Sequence, residues 1–305
     1  MMARRWYGRD RGLTTRITLT YLGLGLLYVL FISALIAAGT GAVTVLAIAG
    51  IFAAIQLLFG DKLALASMGA KVTEPHEAPE LHAIIERLCQ LSDLPKPRVA
   101  VAETELPNAF AAGHNRRTAT VCVTTGLMER LDPRELEGVI AHELAHIANR
   151  DVVVMTIAGF LATVAGLMVR FGVYSGMGGR GRDRNGAAVF LAVVVVSVIV
   201  YVVSFLLLRA LSRYREFAAD RGAAIMTGAP ARLASALATI SGTMDRIPTR
   251  DLRAAEGMNA FFIIPAVAKG FSLSSLVSTH PPVEKRIERL MAMQATLDAT
   301  PAAVL

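Results

Sequence analysis

His142-Glu143-Leu144-Ala145-His146 sets two imidazoles four residues apart. On an α-helix that spacing brings both onto one face, because four residues at 3.6 per turn return almost to the start. Two nitrogen ligands on one face suit a catalytic zinc. Glu143, beside the first histidine, is placed to take a proton from a metal-activated water. The chain has only 6 histidines, so a surface helix with two solvated imidazoles explains the pattern poorly.

A third ligand is needed to complete the set. The pattern H-E-x-x-H-x-x-G-x-x-H would supply it locally, but Asn149 and Val152 stand where Gly and His are required. A carboxylate from a later helix is the alternative. Ser212-Arg213-Tyr214-Arg215-Glu216-Phe217-Ala218-Ala219-Asp220 offers one. Glu216 and Asp220 are four apart and share a helical face. Glu216 can bind zinc, and Asp220 can accept the outer ring N–H of a ligand histidine. His₂Glu ligation favours zinc, one ion per chain, over other divalent metals.

The 305 residues are 54% apolar, with positive mean hydropathy. The excess lies in four uncharged blocks, 17–38, 42–59, 152–169 and 187–208. Each can cross a hydrocarbon core of about 30 Å. The first follows Arg4, Arg5, Arg9, Arg11 and Arg16 and is joined to the second by Gly39-Thr40-Gly41. An uncleaved hairpin anchor is expected rather than a signal peptide. The fold class is therefore an α-helical membrane protein with four transmembrane helices and a mainly α, α+β, zincin-like cytoplasmic protease domain. Its parts are 1–60 (basic N-terminus and first hairpin), 61–151 (with the HELAH helix), 152–209 (second hairpin) and 210–305 (with the third ligand). A cytoplasmic N-terminus puts 61–151 and 210–305 in the cytoplasm. Arg180, Arg182 and Arg184 in the loop 174–186 oppose that orientation, but the N-terminal arginines outnumber them.

Within the soluble parts, Pro79–Leu94 has helical periodicity, and Arg98–Glu103 and Thr118–Thr125 read as strands. Asp132-Pro133 starts the motif helix, with Glu135 completing a capping box, and the helix ends near Asn149. Arg213–Met226, Arg232–Ile247 and Pro282–Leu297 are expected as separate helices, and 259–277 as an apolar loop. His76 and His82 are expected to be solvated and His114 to sit in a turn. The net charge of +7 suits an anionic lipid surface, and no aromatic-basic interleaving supports nucleic-acid binding. Cys89 and Cys122 form no C-x-x-C and are expected as free thiols.

Together these motifs resemble the HtpX membrane zinc metalloproteases, relatives of the CAAX prenyl endopeptidases. The resemblance rests on His142–His146 with Asn149-Arg150-Asp151, the S-R-x-R-E-F-x-A-D stretch, Asn108-Ala109-Phe110-Ala111, Thr124-Thr125-Gly126-Leu127, and Thr279-His280-Pro281-Pro282 with Arg286-Ile287. It implies that His142, His146 and Glu216 bind zinc, that Glu143 is the general base and that Asp220 supports a ligand. It implies an Asn108 on an edge strand that pairs with extended substrate. It further implies that His280 stabilises the oxyanion and that Arg286 supports the site through a carboxylate. The implied role is stress-linked quality control of misfolded or damaged membrane proteins at the cytoplasmic (inner) membrane. CAAX-type processing and metal binding without catalysis, as a sensor or scaffold, are the alternatives. A transporter would place ionisable groups inside the four blocks, which hold none. Substrate preference and oligomeric state are not legible.

Overall fold

The computed structural model describes residues 10–37, 42–178, 184–244 and 280–299. The N-terminal arginines before Asp10, the Gly39-Thr40-Gly41 turn and the apolar segment 259–277 lie outside them. Among the described residues four helices are long and apolar enough to cross a membrane. They are α1 (Arg11–Ala37), α2 (Ala42–Ser67), α6 (Asp151–Gly178) and α7 (Arg184–Thr227). Between them lie β1 (Lys71–Val72), α3 (Pro79–Ser92), β2 (Arg98–Ala102), β3 (Ala109–Ala112), β4 (Thr120–Thr124), the short α4 (Thr125–Met128) and α5 (Pro133–Asn149). Among the described residues two further helices follow, α8 (Pro230–Met244) and α9 (Val283–Asp298).

The long helices carry their apolar residues outward. Leu22, Leu26, Ile36, Ile51, Leu191 and Ile199 are all exposed, as lipid-facing side chains must be. A narrow seam holds the bundle: Phe31, Leu35, Ala49, Val164, Ala165 and Val200 are buried together. Tyr28 stacks on Phe160 and donates its hydroxyl to the Ile157 carbonyl at 2.7 Å.

The sheet has the order β1-β2-β4-β3. β2 and β4 run parallel, while β1 and β3 pair antiparallel at the two edges. Every residue of β4 is buried, as expected of a central strand covered on both faces. One face packs on the C-terminal end of α2 through Ala64, Ala100, Ala102, Phe110, Ala112 and Cys122. The other face belongs to the main core, where Val99, Val121 and Val123 meet Ile85 and Leu88 of α3, Ile140 and Leu144 of α5, and Leu237 of α8.

The motif helix forms for local reasons. Asp132 Oδ1 accepts from the backbone N–H groups of Arg134 (2.7 Å) and Glu135 (2.8 Å), and Glu135 Oε2 accepts from Asp132 N–H (3.2 Å). Such a cap is worth about 1 kcal/mol. The helix ends at Arg150, which takes the left-handed conformation (φ 56). Upstream, Gly126 is required: a Cβ there would lie 2.3 Å from the Glu105 carbonyl oxygen.

Three expectations are corrected. Helix four and Arg213–Met226 form one helix, α7, of 44 residues; nothing between Leu208 and Arg213 is a helix breaker, so the ladder continues out of the apolar stretch. Of the expected loop 174–186, residues 174–178 end α6 and 184–186 start α7, while 179–183 lie outside the described residues. His82 is buried rather than solvated, with Nε2 3.1 Å from the Thr73 carbonyl oxygen. β1 and β3 were not legible as strands, being only 2 and 4 residues long.

Candidate metal centre

α5 presents His142, Glu143 and His146. The far end of α7 crosses it with Arg215, Glu216 and Asp220, and the start and first turn of α9 bring in His280 and Arg286. The crossing is close. A Cβ on Gly222 would lie 2.6 Å from the Ala145 Cβ, and one on Gly138 would lie 2.9 Å from the Leu233 backbone nitrogen. Glycine at these two positions lets α7 and α8 reach the motif helix.

The two Nε2 atoms of His142 and His146 stand 3.1 Å apart. Glu216 closes the triangle, with Oε2 3.6 Å from His142 Nε2 and Oε1 3.5 Å from His146 Nε2. One ligand atom from each of the three lies within 4.8 Å of the others. Each histidine turns its other nitrogen to a different carboxylate: His142 Nδ1 lies 3.0 Å from Asp220 Oδ1, and His146 Nδ1 lies 2.5 Å from Asp151 Oδ2. With both Nδ1 protons donated outward, two lone pairs and a carboxylate face one another. Two imidazole nitrogens and a carboxylate converging on one point are the His₂Glu donor set of a divalent metal of the zinc type.

The charges around it are heavily compensated. Arg286 is fully buried and donates Nε to Asp220 Oδ2 (3.0 Å) and Nη2 to Asp220 Oδ1 (2.7 Å). Its Nη1 lies 3.2 Å from Glu216 Oε2, as does His280 Nδ1. Burial alone would push the Glu216 carboxyl up, but His280, Arg286 and His142 hold it well below the usual carboxylate range. Asp220 is lowered too, its burial outweighed by Arg286 and His142. Burial favours neutral His142, yet Asp220 and Glu216 lift it to about 9, while burial and its charged neighbour lower His146. Glu143, 4% exposed, moves the other way: burial raises it, only partly offset by the two histidines.

Asn108 is fully buried just before β3, pinned by Thr124. Its N–H donates to Thr124 Oγ1 at 2.9 Å, and its carbonyl accepts from Thr124 N–H at 3.0 Å. Among the described residues β3 pairs only with β4, so that it stands at one edge of the sheet. The Ala111 backbone on that strand hydrogen-bonds Glu143. The structure therefore gathers His142, Glu143, His146, Glu216, Asp220, His280 and Arg286 at one centre, with the β3 edge beside it. His114, in the bend after β3, is not one of the three-residue group, although it lines a small pocket with His146 and Asp151. Sequence reasoning gave no role to Asp151 or Arg215. Both nevertheless stood inside quoted motifs, Asp151 in Asn149-Arg150-Asp151 and Arg215 in the S-R-x-R-E-F-x-A-D stretch.

The sequence profile of Peptidase family M48 matches residues 75–294. The chain belongs to that family. Within it, the chain is 53% identical over 293 residues to "Protease HtpX homolog 2" of Methanosarcina mazei, covering 96% of this chain and 99% of the relative. It is also 53% identical over 296 residues to "Protease HtpX homolog" of Moorella thermoacetica, covering 97% and 99%. The M48 chain is thus an HtpX-type metalloprotease, and with four apolar helices it is a multi-pass membrane protein. Among solved structures it resembles the crystal structure of S. mikatae Ste24p. The TM-score is 0.56 at 18% identity, covering 90% of this chain and 64% of that one. At that identity the likeness concerns the fold alone.

Proposed function

We propose that this metalloprotease is a zinc-dependent endopeptidase that degrades misfolded or damaged membrane proteins, with its active site on the cytoplasmic side of the cytoplasmic membrane. The observation that carries the reading is the convergence of both Nε2 atoms and Glu216, with buried Glu143 between them and the β3 edge. His142, His146 and Glu216 would hold one zinc. Zinc bound there would polarise the scissile carbonyl and acidify a water. Glu143 takes the water proton and returns it to the leaving amine. Its pKa, raised by burial, suits that task, since a less acidic carboxyl is the better proton acceptor.

The remaining residues orient. An extended substrate pairs along the outer edge of β3, and Asn108 and the backbone beyond it fix the register. His280, near Glu216, donates to the oxygen that gains charge on attack. Asp220, clamped by Arg286, keeps His142 in the tautomer that presents Nε2 inward. The proximity of the site to the bilayer supports membrane-protein substrates. Glu216 follows the last residue of the apolar stretch, Leu208, by eight positions on one helix, which is about 12 Å at 1.5 Å per residue. The orientation rests on the arginine-rich N-terminus.

The test compares purified wild type with Glu143→Gln in detergent. Both should carry one zinc, and casein cleavage should fall by about 10²–10⁴-fold in the variant. Undiminished cleavage would mean the base lies elsewhere. Zinc binding with no cleavage by either protein would favour metal binding without catalysis.

A further inference from the structure

His142 is braced from within the soluble part, through Asp220 and Arg286. His146 is braced through a different set, and that set reaches the first membrane helix. Arg150 ends α5 in the left-handed conformation, so the chain turns and Asp151 opens α6 facing back toward the motif. In an uninterrupted helix a residue five positions on would point well away from His146. Here Asp151 Oδ2 lies 2.5 Å from His146 Nδ1. Its other oxygen pairs with Arg215. The same guanidinium donates to the Asn149 carbonyl oxygen at 3.1 Å and to the Tyr21 hydroxyl oxygen on α1 at 2.8 Å. Asp151 and Arg215 are 8% and 9% exposed, so the pair is poorly screened. A second tether runs alongside. Arg289 of α9 reaches Asp10, at the start of α1, at 2.7 Å and lies over the Phe217 ring at 4.5 Å.

We propose that Asp151, Arg215 and Tyr21 are positioning residues that fix His146 on the metal and make metal retention depend on the docking of α1. Asp151 accepts the Nδ1 proton of His146, which holds the ring in one tautomer, aims Nε2 at the centre and makes it a better donor. Arg215 holds Asp151 in orientation through its paired oxygen, and donates to the carbonyl at the end of α5. Tyr21 fixes Arg215 from the membrane side. The inference rests on the proposed ligand set.

The experiment uses the full chain in detergent. It measures zinc affinity by chelator competition, and the visible absorption spectrum after cobalt(II) replaces zinc. Asp151→Ala should weaken zinc binding by about 10–100-fold and change the cobalt spectrum. Asp151→Asn, which keeps an acceptor oxygen, should restore most of the affinity. Arg215→Lys should fall between Arg215→Ala and wild type. Tyr21→Phe, the gentlest change, should weaken binding by about threefold and keeps the test open if the alanine variants do not fold. Wild-type affinity and an unchanged spectrum in Asp151→Ala or, where that variant does not fold, in Tyr21→Phe would overturn the proposal. So would a loss of thermal stability in the metal-free protein with affinity and spectrum unmoved. If wild type itself binds no zinc, the ligand assignment fails first and this inference with it. If wild type binds zinc, a negative result refutes this inference alone.

Discussion

The two halves of α7 live in different solvents. From Leu191 to Leu208 its large side chains are turned outward: Leu191, Val195, Ile199, Val202 and Leu206 are exposed, and the buried polar groups are two serines, Ser197 and Ser204. From Leu211 to Thr227 the pattern inverts. Arg215, Glu216 and Asp220 are buried, and each meets an opposite charge or a histidine. One unbroken hydrogen-bond ladder serves both, so the backbone does not distinguish them. What differs is whether partners for polar groups arrive from other elements. In the apolar half the neighbours are α1 and α6, equally apolar. In the charged half they are α5 and α9, which bring His142, His146 and Arg286. Buried charge is tolerable only where it is paired, and here the pairing creates the metal-binding geometry.

The largest expected effect breaks that pairing. Arg286→Met keeps the volume and removes the cation shared by Asp220 and Glu216, leaving two buried carboxylates facing each other. Removing one member of a buried pair costs about 3–5 kcal/mol, to be read as a lower denaturant midpoint of the metal-free protein. The pH dependence has a fixed sign. Asp220 is held below its ordinary value, so its contribution is complete above the unfolded carboxylate pKa. It fades as pH falls through the lowered folded value. Wild type and variant should therefore differ most near neutrality and converge in acid. An unchanged gap at low pH would show that Arg286 stabilises by packing alone.

A smaller effect is expected from Gly222→Ala. The added Cβ falls 2.6 Å from the Ala145 Cβ, one residue from His146. Crowding of this kind costs about 1–3 kcal/mol, partly offset by the better helix propensity of alanine, up to about 1 kcal/mol. Zinc content and cleavage should both fall. Ala145→Gly in the same chain should recover much of the loss, a coupling that a double-mutant cycle reads directly. Additive losses would mean that the two helices do not approach through these residues.

How much of this was legible follows from the same contrast. Apolar blocks are self-sufficient signals, and all four appear as helices at their expected places. The cap at Asp132 and Glu135 is likewise local, and it forms as the spacing requires. The continuity of α7 was not legible, because a change of solvent halfway along a helix looks like a boundary in composition. β1 and β3 carry too few residues for a period of two to show. The candidate ligand set was readable in part, since His142/His146 and Glu216/Asp220 each repeat at helical spacing. The partners of His146 were hidden for a physical reason. Asp151 faces it only because Arg150 adopts a left-handed conformation, which nothing in an arginine announces, and Arg215 arrives from 64 positions further along.

The smallest effect tests the apolar half. Ile199 is 56% exposed, whereas its neighbour Val200 is 5% exposed and packed in the bundle seam with Phe31 and Val164. If lipid is the solvent there, Ile199→Ser exchanges a lipid contact for a hydroxyl that can bond back to its own helix. The expected cost is less than about 1 kcal/mol, with zinc content and cleavage unchanged. Val200→Ser removes packing in a place that cannot refill, and should lower the thermal midpoint of the bundle in lipid nanodiscs by more than Ile199→Ser does. Equal effects would mean that the exposed face of α7 is covered by another chain rather than by lipid. The division between its two halves would then be one of partner, not of solvent.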